Sequence, residues 1–130
     1  MQNLPSHEQQ QPTSFSKRYT FPCPSEQVEE DLPELLRGFI KEMNEWSRAN
    51  GGMVGHIKIL SDCRHKTWIS STGGMVEEQS VGVKADIPAS LTLYVTAIVF
   101  NVPSDLFCMA CEDTLKPSIS LLCGGRTAID

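Results

Sequence analysis

Cys63-Arg64-His65 and Cys108-Met109-Ala110-Cys111 carry the side chains of this sequence best suited to grip a metal ion. Two thiolates three residues apart share one face of a helix, and a Cys-x-His pair in a turn supplies two further ligands of the kind zinc takes. Cys63, His65, Cys108 and Cys111 are therefore the candidate metal ligands, with zinc as the ion and His56 as a spare. Cys108 and Cys111 also have the spacing of a redox dithiol, but no strand and loop lead into a helix that exposes the first thiol. Without a metal, all five cysteines read as reduced thiols, because their number is odd and their spacings match no disulfide framework.

A second constellation has the residue types of a hydrolase. Ser70, Ser71 and Thr72 could supply a nucleophile, His56 a base and Asp62 an orienting carboxylate. No G-x-S-x-G elbow accompanies them. His56 and Lys58 alternate onto one strand face, with Arg64, His65 and Lys66 close in sequence. They form the chain's basic cluster, and His56, Lys58, Ser71 and Thr72 are the candidate small-ligand contacts. The glycine pairs Gly51-Gly52 and Gly73-Gly74 lack the spacing of a phosphate loop, so nucleotide hydrolysis is not expected.

The elements that must position these residues follow from periodicity. Leu32, Leu35, Leu36, Phe39, Ile40, Met43 and Trp46 make one apolar stripe at helical spacing. Asp31 is the expected N-cap, with Pro33 in the first turn and Asn50-Gly51-Gly52 as the stop. Strands are expected over Met53–Ser61 and Thr67–Thr72, joined by a polar turn at Asp62–Lys66. Val81, Val83, Ala85 and Ile87 alternate as a short third strand. Leu91–Val102 is apolar on both faces, as in a central strand. A second helix opens at Pro103-Ser104-Asp105, with Ser104 as N-cap, and ends at Pro117.

The fold class is thus α+β. An antiparallel sheet of three to four strands carries two helices on one face, in the order α-β-β-β-β-α. Residues 1–24, rich in Gln and Pro, read as a disordered tail; residues 25–117 make a single domain; residues 118–130 form a tail or a short added element. Tyr94, Ile98 and Phe100 share the sheet face that the helices leave open. An uncovered apolar face marks an interface, so self-association or a protein partner is expected.

Bulk properties narrow the classes. The chain has 130 residues and a formal charge of −5, which argues against nucleic acid and anionic membranes as partners. No apolar run approaches the roughly 20 residues of a membrane helix. The first 24 residues hold no secretory h-region, so a cytoplasmic location is expected.

The stretch Gly51–Leu60, which reads Gly-Gly-Met-Val-Gly-His-Ile-Lys-Ile-Leu, is followed by Ile69-Ser70-Ser71-Thr72. Leu91–Asn101 then precedes Pro103-Ser104-Asp105. In this order, across residues 32–115, the chain resembles CobW-type proteins, GTPases of metal and cobalamin handling. His56 and Lys58 are the matching positions. The nucleotide-binding half and the Cys-rich metal motif of those proteins are missing. The resemblance therefore implies an accessory module that binds rather than one that hydrolyses GTP. The leading functional reading is a non-enzymatic binding or assembly module, accessory to metal or cobalamin handling. The alternatives are a Cys/His zinc domain and a small hydrolase-like enzyme using His56.

Overall fold

A computed structural model describes residues 11–82 and 86–124. In chain order the elements are β1 (Pro12–Pro22), α1 (Glu26–Ala49), β2 (Met53–Asp62), β3 (Lys66–Ser71), β4 (Val76–Val81), β5 (Ser90–Phe100) and α2 (Ser104–Leu122). The architecture is α+β, with one five-stranded sheet in the order β1-β5-β2-β3-β4. Every neighbouring pair is antiparallel. β1 and β2, joined through α1, run parallel on either side of β5, so the unit begins as a split β-α-β.

The fifth strand is β1, which lies where the composition predicts a disordered tail. Phe15, Tyr19 and Phe21 recur at even spacing within an otherwise polar run. They project to the helix side, where Phe15 and Phe21 are buried. Pairing from Pro12↔Phe100 to Pro22↔Ser90 satisfies one edge of β5 along its whole length. Two well-placed aromatics and a continuous ladder outweigh the polar composition of the segment. Residues 1–10 lie outside the described residues.

α1 begins about two turns earlier than the expected cap at Asp31. Ser25 is the N-cap, its Oγ accepting the Val28 N–H at 3.2 Å, while Asp31 is inside the helix and accepts from Gln27 Nε2 at 3.0 Å. Pro33 is accommodated within the helix. The stripe holds: Leu32, Leu36, Phe39, Ile40 and Met43 are buried, with Leu35 and Trp46 at its margins. Gly51 adopts φ 79°, as the stop requires. Gly52 is needed for space, because a Cβ there would stand 2.5 Å from Val102 Cγ1 and 2.9 Å from the Phe100 carbonyl oxygen.

The third strand of the meander is β4, at Val76–Val81. Of the expected Val81–Ile87 run, Val81 closes β4, and Gly82, Asp86 and Ile87 are not in a strand. β4 is a sheet edge with both faces largely exposed, so Glu77, Glu78 and Gln79 can occupy it without an apolar alternation. Arg37 of α1 pairs with Glu78 and ties the helix to this edge. Val83, Lys84 and Ala85 lie outside the described residues.

α2 also departs from its expected bounds. Pro103 occupies the cap position without a side-chain bond, Ser104 is the first helical residue, and the helix runs through Pro117 to Leu122. Burial of Ser118 and Leu122 carries it past the proline. Residues 125–130 lie outside the described residues.

Both helices cover one sheet face. Ile57, Ile59, Ile69, Leu91, Leu93, Val95, Ala97 and Val99 point into that side and are buried under α1 and α2. Trp46 and Phe107 join the helices, with ring centroids 6.0 Å apart.

Candidate functional site

The other sheet face is not covered by any described element. Strand register fixes what it presents. Leu60 of β2, the middle strand, stands opposite Tyr94 of β5 on one side and Trp68 of β3 on the other. The row continues outward to Arg18 on β1 and Gln79 on β4. Trp68 and Tyr94 are each 40% exposed, large values for aromatic rings in the interior of a sheet. Ile98 and Phe100 extend the patch along β5 as half-buried side chains. The neighbouring row reads Ser16, Thr96, Lys58, Ser70 and Glu77. The face thus has an apolar, aromatic centre, with Arg18 at one edge and Glu77 at the other.

His56 and Lys58 lie on this open face, opposite Ile98 and Thr96 of β5. Ser71 does not. It stands opposite Ile57 on the helix side and is buried. Its Oγ accepts the Asn44 Nδ2–H and the Gly73 N–H, each at 3.1 Å, and lies 3.4 Å from the Gly74 carbonyl oxygen. That hydroxyl pins the turn after β3 to α1, and the sheet itself separates it from His56. Thr72 is exposed in the turn that follows. Ser71 and His56 therefore belong to opposite faces, whereas Ser70 shares the open face, opposite Lys58. Residues of a strand alternate sides, and the one-residue difference between Ser70 and Ser71 decides which side each takes.

The cysteines are distributed differently from the expected metal set. Cys63 is buried in the β2–β3 turn, with its Sγ 3.7 Å from Cys23 Sγ at the end of β1. Cys108 faces the Ser14 carbonyl oxygen at 4.0 Å, and Cys111 is buried on α2. His65 turns toward Glu29, its Nδ1 3.6 Å from the carboxylate. Among the described residues no group of three or more His, Cys, Asp or Glu side chains is placed to hold a metal ion. Burial pushes the Cys63 and Cys111 thiols up to about 12, so both rest protonated near neutral pH.

Two local arrangements had no clear signal in the sequence. Glu29, 8% exposed, accepts from Arg64 Nη1 at 2.9 Å and from the His65 backbone N–H at 3.0 Å. This clamp holds the β2–β3 turn against the first turns of α1. Its bond to Glu29 also raises the Arg64 pKa. A shallow cleft of about 190 Å³ opens beside the clamp, lined by Glu26, Glu30, Ser61, Thr67 and Ser80 among others. In the sequence, Glu29 looks like helix-dipole charge beside Glu30 and Asp31. The second arrangement is the Cys23–Cys63 contact, whose partners lie 40 residues apart.

No described helix is long and apolar enough to cross a membrane. No family model matches the sequence, and no curated protein matches it. Among solved structures the chain is similar to the Zn(II)-bound YjiA GTPase from E. coli, with TM-score 0.38, 7% identity and 78% of this chain covered. It is also similar to a Zn(II)-bound triple mutant of that GTPase, with TM-score 0.40 and 8% identity. This chain spans 29% of the length of YjiA, whose GTPase activity and zinc are properties of that longer protein.

Proposed function

We propose that this chain is a non-enzymatic assembly module that pairs with a second copy of itself through the open sheet face. The observation that carries the reading is the row Tyr94–Leu60–Trp68, centred on the middle strand of an uncovered sheet. A two-fold axis running along β2 sets β5 of one copy over β3 of the other. Tyr94 then meets Trp68 twice, and Leu60 meets Leu60 on the axis. The same rotation lays the Arg18 edge over the edge that carries Glu77, so the outer charges are complementary.

The size of the face also fits. Five strands about 4.8 Å apart give a surface about 24 Å wide, and strands of six to eleven residues make it about 25 Å long. Burying it on both copies removes about 1,200 Å² from water, the lower bound for specific association. The resemblance of Gly51–Leu60 to CobW-type proteins makes metal or cobalamin handling the setting in which such a module would act.

Sedimentation velocity of the full chain over a concentration series tests the proposal. A concentration-dependent dimer is expected. Trp68→Glu should yield a folded monomer, because Trp68 lies outside the core. Met109→Glu, at an exposed apolar residue of α2, should leave the dimer intact. A wild-type monomer at every soluble concentration, or equal loss of dimer in both variants, would overturn it.

A further inference from the structure

We propose that Cys23 and Cys63 are an oxidisable dithiol, which a small disulfide of the glutathione class converts to an intramolecular disulfide. The two sulfurs are already 3.7 Å apart. Both residues lie in connections rather than in strands or helices, Cys23 between β1 and α1 and Cys63 in the β2–β3 turn. Side-chain rotation there disturbs no ladder. Exposure differs between them: Cys63 is fully buried, whereas Cys23 is partly open to solvent. Cys23 is therefore the point of attack and Cys63 the resolving thiol. Cys108, which is also partly open, has the Ser14 carbonyl oxygen for a neighbour.

The exchange balances without a further reagent. The Cys23 thiol gives up its proton, and its sulfur attacks one sulfur of the small disulfide. One small thiolate leaves, and a mixed disulfide remains on Cys23. The Cys63 thiol then loses its proton, and its sulfur attacks the Cys23 sulfur. The second small thiolate leaves as the Cys23–Cys63 bond forms. Two protein thiols are oxidised and one small disulfide is reduced to two thiols, which take up the two protons.

The product encloses α1 and β2 in one covalent loop, because the partners are 40 residues apart. It also fastens the end of β1 to the turn that carries Arg64 and His65. The pairing is independent of the open face, since both cysteines belong to the helix-side core and its border.

The test is treatment of the purified full chain with oxidised glutathione, followed by alkylation, intact mass measurement and peptide mapping. The expected product has lost two hydrogens, retains no glutathione and yields a peptide joining Cys23 to Cys63. Its melting temperature should rise by at least about 5 °C and return with reductant. Cys23→Ser should abolish the link, and Cys108→Ser should leave it unchanged. Glutathione retained on Cys23 of the wild-type chain would overturn the proposal. So would a link to any other cysteine, or no reaction while the small disulfide is in excess.

Discussion

Asn44 on α1 and Ser71 at the end of β3 meet inside the protein, with the amide Nδ2 donating to the hydroxyl oxygen at 3.1 Å. Asn44 also reaches the Gly74 carbonyl oxygen at 3.4 Å. This one side chain connects the main helix to the β3–β4 turn. Asn44→Ala leaves the Ser71 hydroxyl and the Gly74 carbonyl with less company in a buried setting, and should cost about 1–3 kcal/mol. A double-mutant cycle with Ser71→Ala should show coupling. Additive losses in chemical denaturation would refute the shared bond.

Two glycines should respond in opposite directions to the same added methyl group. Gly52→Ala drives a Cβ against Val102 Cγ1 and the Phe100 carbonyl. Backbone on one side cannot yield, so a loss of about 1–3 kcal/mol is expected. Gly38 lies inside α1, and a Cβ added there would meet nothing within 4 Å. Gly38→Ala should stabilise by about 0.5–1 kcal/mol. Urea titrations of both variants check the pair.

Alkaline pH should weaken the fold through its buried thiols. Burial raises Cys63 and Cys111 to about 12, from an ordinary value of 9.0. Below the ordinary value, both states hold the proton and the contribution is intact. Between the two values the unfolded chain releases protons that the folded chain keeps, so stability falls as pH rises. For Cys111 the slope is about 1.4 kcal/mol per pH unit. Cys111→Ala should flatten the alkaline branch of a melting-temperature profile, and an unchanged branch would contradict the assignment.

Lys58 should oppose the proposed dimer. It lies on the middle strand, one row from Leu60, so the two-fold axis brings it toward its own copy. Salt screens such like-charge contacts. Lys58→Met should therefore tighten association several-fold, and the gain should shrink from low to moderate ionic strength. Sedimentation of both proteins at two salt concentrations decides this, and a variant that associates no more tightly than the wild type at low salt would argue for a different contact.

Much of this architecture was legible in the chain. The stripe from Leu32 to Met43 and the alternation of Leu91 to Val99 are strong periodic signals, and both elements sit where those signals put them. The exposure of Tyr94 follows from the same alternation. What periodicity could not reach was structure held by partners distant in sequence. β1 has only three aromatics of its own and depends on β5 to become a strand. β4 needs no apolar face because it is an edge. Proline is misleading at both helices, because local cost at Pro33 and Pro117 is outweighed by burial further along. At the site level, the residue types of Ser71 and His56 suggest a pair, but strand parity sets them on opposite faces. Glu29 and Arg64, 35 residues apart, leave no spacing to detect.

The pairing of Pro12 with Phe100 has a consequence for how the chain is made. During synthesis β1 leaves the ribosome long before β5, its neighbour in the sheet. β2, β3 and β4 can assemble as a local meander beside α1, but β1 must wait, with Phe15 and Phe21 unburied, until β5 has been translated. The long loop to be closed makes this docking step slow relative to the hairpins. The vulnerable interval for a nascent chain therefore opens as soon as β1 emerges, and it ends only when the last strand follows.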